Sequence, residues 1–301
     1  MAAANYLPDV LETTEAERLA TGFIFTEGPL WHPDGYYYFV DLRNNRLHRV
    51  TPGKPAELVT NTQGGNGTTF DLQGRLVICE GDARRVSRLG ADGKLSPIAE
   101  RYNGARFARP NDIVCHSDGS LYFTNPDKRI PYKDREIAGP PGADNLWDGA
   151  AVFRIATDGA VSMVANCEYP NGLAFSPDEK TLYVANTRSS KYIHSLQFDA
   201  AGKVVRRRVF ADMNEGELPG VPDGMKVDTQ GRVYCTGPGG IWVFDPDGKR
   251  VGIIKFPEQS VNFAFGGPDL KTLFCCAHTS VYTLRVKVPG NPHPWYKVSK
   301  K

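Results

Sequence analysis

The sequence has no apolar run long enough to span a bilayer, which excludes a helical membrane anchor. It also lacks an excess of either charge. With 36 Lys and Arg against 34 Asp and Glu, the net charge is +2, too weak a field for nucleic acid as the main partner. Its first residues, Met1 to Tyr6, show no basic region followed by an apolar one, so no secretory leader is expected. The six cysteines (Cys79, Cys115, Cys167, Cys235, Cys275, Cys276) contain no Cys-x-x-Cys pair and match no disulfide framework. Free, buried thiols in a reducing compartment are the expectation, which makes the cytoplasm the expected location. There is no Gly-x-Ser-x-Gly elbow, no phosphate-binding Gly-rich loop and no His-Glu-x-x-His stretch. The six histidines are scattered, with no ligand spacing. No segment carries a convincing helical pattern.

What is abundant is turn chemistry: 31 Gly and 22 Pro punctuate short β-prone runs. One unit recurs, clearest at Asp223-Gly224: a polar head, a short apolar strand, a tight turn and a second strand. Its heads are Glu27, Asn66, Asn111, Asn171, Asp223 and Asn262, spaced 39 to 60 residues apart. The turns between the strands are Asp34-Gly35, Gln73-Gly74, Asp118-Gly119, Asp178-Glu179, Gln230-Gly231 and Pro268-Asp269. Six in-register copies make a repeat architecture.

Two further strand candidates follow each of the first five units, so each repeat holds four strands, the blade of a β-propeller. The sixth repeat has only three, ending at Val281–Val286, and would leave an open edge. A spare strand, Ala16–Thr21, is expected to close it. The prediction is therefore an all-β, six-bladed propeller occupying residues 1–301 as one domain, with 1–15 as a loose lead-in and 288–301 as a tail too rich in proline for a central strand. The basic end, Lys297 to Lys301, and the run Arg206-Arg207-Arg208 are expected to be solvated.

First strands of all blades line the central channel in one direction, so the six heads should ring one mouth. The two carboxylates, Glu27 and Asp223, are expected on nearly opposite sides, with four amides between them. Carboxylate and amide oxygens without thiolate or imidazole suit a hard divalent cation. The loop after each second strand returns to the same mouth. The longest, Pro126 to Gly149, is expected to form a lid carrying Trp147. Arg109, two residues before Asn111, would bring a fixed positive charge to the mouth, and His278 should lie near it.

Four motifs in order resemble the gluconolactonase / senescence-marker-protein (regucalcin-like) / luciferin-regenerating family: Thr26-Glu27-Gly28-Pro29, Arg109-Pro110-Asn111-Asp112, Tyr169-Pro170-Asn171-Gly172 through Asp178, and Val221-Pro222-Asp223-Gly224. The resemblance spans about residues 16 to 287. It is strongest to the gluconolactonase branch, through Asn111-Asp112-Ile113 running into Asp118-Gly119-Ser120-Leu121-Tyr122-Phe123-Thr124. It implies that Glu27, Asn171 and Asp223 bind a catalytic divalent metal, with Asn111 as a ligand or substrate contact. It also implies that Arg109 holds substrate and that Asp223 doubles as general base. The cation implied is Ca²⁺, with Mg²⁺, Mn²⁺ or Zn²⁺ as alternatives, and the substrate is a small sugar lactone opened to its acid. Two stretches depart from the branch: Asn125-Pro126 stands where Asp-Pro is common, and Glu80-Gly81-Asp82 replaces a His-Gly-Asn-like wall. A phosphotriesterase on the same metal and a non-catalytic protein-binding propeller are the alternative readings. The sequence leaves the oligomeric state open.

Overall fold

Residues 6–126, 149–188, 190–215 and 217–298 are described by the structure, a computed structural model of the chain. Short β-rich runs with a tight turn every few residues can satisfy their backbone groups only by antiparallel pairing with their neighbours in sequence. They do so in six four-stranded sheets. The first strands are Thr26–His32, Gly65–Phe70, Ile113–Cys115, Pro170–Phe175, Met225–Val227 and Asn262–Gly266, one for each blade in order. Each lies at the inner edge of its sheet and touches the first strand of the blade before and the blade after, so the sixth meets the first. The architecture is a six-bladed β-propeller.

The spare N-terminal strand closes the ring, as expected. Glu17–Thr21 pairs antiparallel with Ser280–Arg285, matching Glu17 with Thr283 and Thr21 with Ser280. The Ser280 hydroxyl also donates to the Thr21 hydroxyl at 2.9 Å. Closure gives the last blade four strands like the other five, with Glu17–Thr21 as its outer one.

One sequence expectation needs correction. The described part of the lead-in is not loose. Val10 and Leu11 are fully or almost fully buried in the core between blades 5 and 6, Leu11 bridges Val286, and the Lys287 N–H donates to the Val10 carbonyl. The tail packs as well, up to its basic end, where Lys297 is exposed as expected. Gly290 bridges Asp228, the Asn291 N–H donates to the Val227 carbonyl, and a single helical turn, Pro294–Val298, follows. Trp295 then stacks against Phe70 (4.7 Å between rings) and Tyr296 donates to the Trp31 carbonyl. The tail thereby crosses the channel end where the first strands finish. The proline count was read correctly as forbidding a central strand, but a strap needs no ladder. Arg206, Arg207 and Arg208 are exposed on an outer strand, as expected.

The core is built between blades. Phe263, Phe274, Phe39 and Phe153 are fully buried, each worth roughly 1.5–3 kcal/mol in surface removed from water. Just after two of the heads there is no room for any side chain. A Cβ on Gly172 would collide with the Asp223 carbonyl, and one on Gly28 with the Asn66 carbonyl. The glycine after a head thus lets neighbouring heads touch through their backbones, and the Gly172 N–H donates to the Asp223 carbonyl at 3.1 Å. This contact brings the polar heads close enough to act together.

Candidate metal and substrate site

The heads converge on a cavity of about 300 Å³ lined by Glu27, Asn66, Asn111, Asp223, Arg109 and His278, with Phe25 and Val261 supplying apolar wall. Glu27 is buried. Its Oε2 accepts from its neighbour Gly28 N–H at 2.7 Å and from Asn262 Nδ2 at 2.9 Å. Asp223, half-buried, lines the same cavity. Asn171 is buried and does not line the cavity. Its Nδ2 donates to Thr187 Oγ1 at 3.0 Å, the Thr187 hydroxyl donates to the Pro222 carbonyl at 2.7 Å, and the amide also bonds the Asp223 carboxylate. The amide nitrogen is committed to these oxygens, so Oδ1 is the atom left to accept.

One geometric expectation is overturned. Glu27 and Asp223 do not face each other across the ring. They lie on blades 1 and 5, and only blade 6 stands between them in the closed circle. Their charges are close enough to interact. Burial foremost, then Asp112, pushes the Glu27 carboxyl up to about 7. Burial, then Glu27, pushes Asp223 well above the usual carboxylate range. Both carboxyls therefore hold a proton more tightly than a free carboxyl does.

Two channel residues escaped the sequence reading. Asp112, next to head Asn111, is buried, and its Oδ2 has no hydrogen-bond partner. Lys226 sits between buried Met225 and Val227 on the first strand of blade 5. Strand alternation turns it opposite to those two residues, which was the available signal.

Arg109 reaches the mouth, as expected. Asn125 Oδ1 accepts from its backbone N–H at 2.8 Å, and Asp82 stands 3.3 Å from its guanidinium. Both departures from the family pattern therefore act on Arg109. Glu80 does something else: buried, it accepts from Arg85, from Ser87 and from the Gln63 N–H, pinning a hairpin. His278 borders the cavity, 5.3 Å ring to ring from Phe25. All of the predicted lid, Pro126 to Gly149, except its two end residues lies outside the described residues, Trp147 included.

Do these residues fit a divalent cation? Among the described residues no group of three His, Cys, Asp or Glu side chains is arranged to hold a metal. The donor set is instead two carboxylates with amide oxygens, all hard. The cavity brings together the oxygens of Glu27 and Asp223 and the unpartnered Asn66 Oδ1, acceptors that a small oxygen-seeking cation would satisfy. They fit.

Comparison with known proteins adds an independent line. Residues 25–279 match the model of the SMP-30/Gluconolactonase/LRE-like region. A gluconolactonase of Zymomonas mobilis is 31% identical over 92% of this chain and 83% of its own. A pentonolactonase of Haloferax volcanii is 32% identical over 82% of this chain and 79% of its own. Among solved structures, a gluconolactonase from Xanthomonas campestris superposes with a TM-score of 0.85 at 30% identity, covering 94% of each chain.

Proposed function

The chain belongs to the SMP-30/gluconolactonase/LRE-like family, and from that premise we propose that it is a lactonase that hydrolyses a sugar lactone with the help of one divalent cation. The observation that carries this reading is the convergence of Glu27, Asn111, Asp223 and Arg109 on one cavity, with Asn171 held against Asp223. Glu27, Asn171 and Asp223 would hold the cation, with Asn111 as a further ligand or a contact to substrate. Ca²⁺ suits the donors best, and Mg²⁺, Mn²⁺ or Zn²⁺ remain alternatives. When bound, the cation supplies Lewis-acid charge to a carbonyl oxygen and to the negative charge that develops there.

The chain's own residues do the rest. Asp223 takes a proton from the attacking water as the new C–O bond forms. That proton passes to the ring oxygen as its bond to the carbonyl carbon breaks, leaving a hydroxy acid. Arg109, its backbone fixed by Asn125 and its guanidinium by Asp82, orients the hydroxyl groups of the sugar. Phe25 and Val261 keep part of the wall dry.

Six free, buried cysteines suit a reducing compartment and support our reading of this enzyme as cytoplasmic. No helix among the described residues is long and apolar enough to cross a membrane. We read residues 1–301 as one domain.

The test is a lactone panel in a pH-indicator assay, with and without chelator, across Ca²⁺, Mg²⁺, Mn²⁺ and Zn²⁺. Turnover that chelation abolishes and one cation restores is expected. Turnover indifferent to chelation removes the cation, and turnover of organophosphates without lactones removes the substrate class.

A further inference from the structure

Arg109 is one of two guanidiniums that line the cavity; the other is Arg43. Arg43 is the middle residue of a single 3-10 turn, Leu42–Asn44, which follows the second strand of blade 1 and so returns to the mouth. An exposed turn of this kind moves unless it is tied down, and this one is tied at both ends. Asp41 Oδ1 accepts from the Ile24 and Phe25 N–H groups at 3.2 and 3.1 Å, and its Oδ2 accepts from Asn44 Nδ2 at 2.6 Å. The Leu42 N–H donates to the Phe25 carbonyl at 2.9 Å, and Asn45 Oδ1 accepts from the Gly64 N–H at 2.7 Å. From this fixed turn the Arg43 guanidinium lies over the Phe25 ring, 5.2 Å from its centre.

The same ring meets His278, 5.3 Å away. The His278 backbone is held in the left-handed region, at φ 44°, and its carbonyl accepts from the Thr26 N–H at 2.8 Å. Gln259, from the same blade as His278, also lines the cavity. The carboxylate beside it, Glu258, does not; it accepts from the Thr279 N–H and hydroxyl and from the Tyr282 hydroxyl. Where blades 6 and 1 meet, the wall thus presents a guanidinium, a carboxamide and an imidazole beside one aromatic ring. The carboxylates that line the cavity, among the described residues, are Glu27 and Asp223. Glu27 is buried and Arg43 is exposed, so acid and guanidinium stand at different depths.

We propose that this part of the wall is a subsite for an anionic group, a phosphate or a carboxylate at the end of the substrate remote from its reacting carbonyl, and that Arg43 selects it. The inference rests on the lactonase reading and narrows it, from sugar lactones in general to those that carry a negative charge. A neutral lactone asks only for hydrogen bonds to its hydroxyl groups, which Asn66, Asn111 and Arg109 supply from the same cavity. A second guanidinium has no matching group on such a molecule, whereas its planar fork pairs with the oxygens of phosphate or carboxylate. Because the turn is already fixed, little of that binding energy is spent on ordering it. A cavity of about 300 Å³ is at the small end for ligand sites and suits one sugar ring with one substituent.

The experiment compares glucono-δ-lactone with 6-phosphoglucono-δ-lactone and with the 6-carboxylate analogue, using the cation that supports turnover. The parent should show a kcat/KM for one of the charged lactones about tenfold or more above that for the neutral one. Arg43→Gln should lower this ratio by about tenfold, through KM rather than kcat, because the contact is remote from the reacting bonds. Arg43→Glu should lower it further, and Arg43→Lys should keep part of it. Raising ionic strength from about 0.05 to 0.5 M should shrink the parent's ratio and leave that of Arg43→Gln in place. A merely structural role for Arg43 would lower all lactones alike, so a ratio unmoved by Arg43→Gln overturns the proposal. So does a parent that prefers neither charged lactone. Should Arg43→Gln not fold, Arg43→Met carries the same test.

Failure to turn over any lactone sinks the lactonase reading but not the subsite. Calorimetric titration with gluconate and 6-phosphogluconate, which share one carboxylate and differ by the phosphate, then decides it. A parent Kd lower for the phosphorylated acid by about tenfold, with the gap closed in Arg43→Gln, upholds the subsite. Equal Kd values in the parent, no binding of either acid, or a gap that survives in Arg43→Gln overturns it.

Discussion

The two ends of the central channel are made from the same six strands and have opposite characters. At the end where the strands begin, acids and amides crowd together through backbone contact, and Asn66 Oδ1 and Asp112 Oδ2 go without partners. At the end where they finish, the tail lays Trp295 on Phe70 and ties His293 Nε2 to the Thr69 hydroxyl at 3.0 Å. The first end leaves polar demand unmet, and the second meets it. Buried polar atoms without partners cost stability, so a fold tolerates them where a ligand can repay the cost. The sealed end supplies packing energy remote from the chemistry. Stability and function are thereby separated along one axis, and substitutions at each end should separate them in measurement.

The largest effect is expected at the open end. At saturating cation, Asp223→Asn should remain slow by roughly 10²–10⁴ in kcat, the usual worth of general-base assistance. Glu27→Gln removes the same charge from the site but not the base, and should regain much of its kcat once enough cation is added. Cation occupancy is measured for each variant by calorimetry, because a half-empty site mimics a lost base. Parental turnover by fully loaded Asp223→Asn would assign the base to another group.

Next in size is the sealed end. Trp295 contacts Phe70 and His32 and fills the space above Gly74, but it is only half-buried. Trp295→Ala should cost about 2–4 kcal/mol in urea unfolding, toward the low side for a tryptophan truncation. At 25 °C its kcat and cation affinity should equal the parent's. A folded variant with impaired turnover would show that the two ends are coupled after all.

How far the sequence reveals these ends differs for a physical reason. The heads repeat, and a repeat carries its own register, so Glu27, Asn111, Asn171 and Asp223 were legible from spacing and from family motifs. The closing strand was legible because the last blade lacked one. Lys226 was not, since a lone polar residue between two apolar ones in Met225-Lys226-Val227 reads equally as a solvent-facing position. The approach of Glu27 to Asp223 was missed because ring closure makes neighbours of segments far apart in sequence. The strap is the extreme case: His293 meets a residue 224 positions earlier, and nothing local in Pro292-His293-Pro294 announces Thr69.

The smallest expected effect is also the most specific test of the sealed end. His293 uses both ring nitrogens. Nδ1 accepts from the Trp295 N–H at 3.1 Å, so the ring proton belongs on Nε2, which donates to Thr69 Oγ1. A second proton would have to sit on Nδ1, facing another donor. The residue keeps partial exposure, but the ring is walled in by Phe70 and Tyr296. Burial therefore pushes its pKa down from 6.5 to about 3, against a smaller upward pull from Asp71. The sign follows directly. Between pH 6.5 and about 3 the unfolded chain binds a proton that the native protein refuses. The contribution of His293 is thus complete above pH 6.5 and is lost progressively as pH falls toward 3. By pH 5 the loss should reach about 1–2 kcal/mol. His293→Gln keeps one donor and one acceptor but does not titrate. Urea unfolding of parent and variant at pH 7.5 and pH 5 isolates the imidazole, because the other histidines cancel in the difference. The parent's advantage over the variant should shrink by that amount at the lower pH, while the cation Kd at pH 7.5 stays the same in both. An advantage that is constant or grows toward pH 5 would mean that the native state accepts the proton, and that the strap leaves this end of the channel open to water.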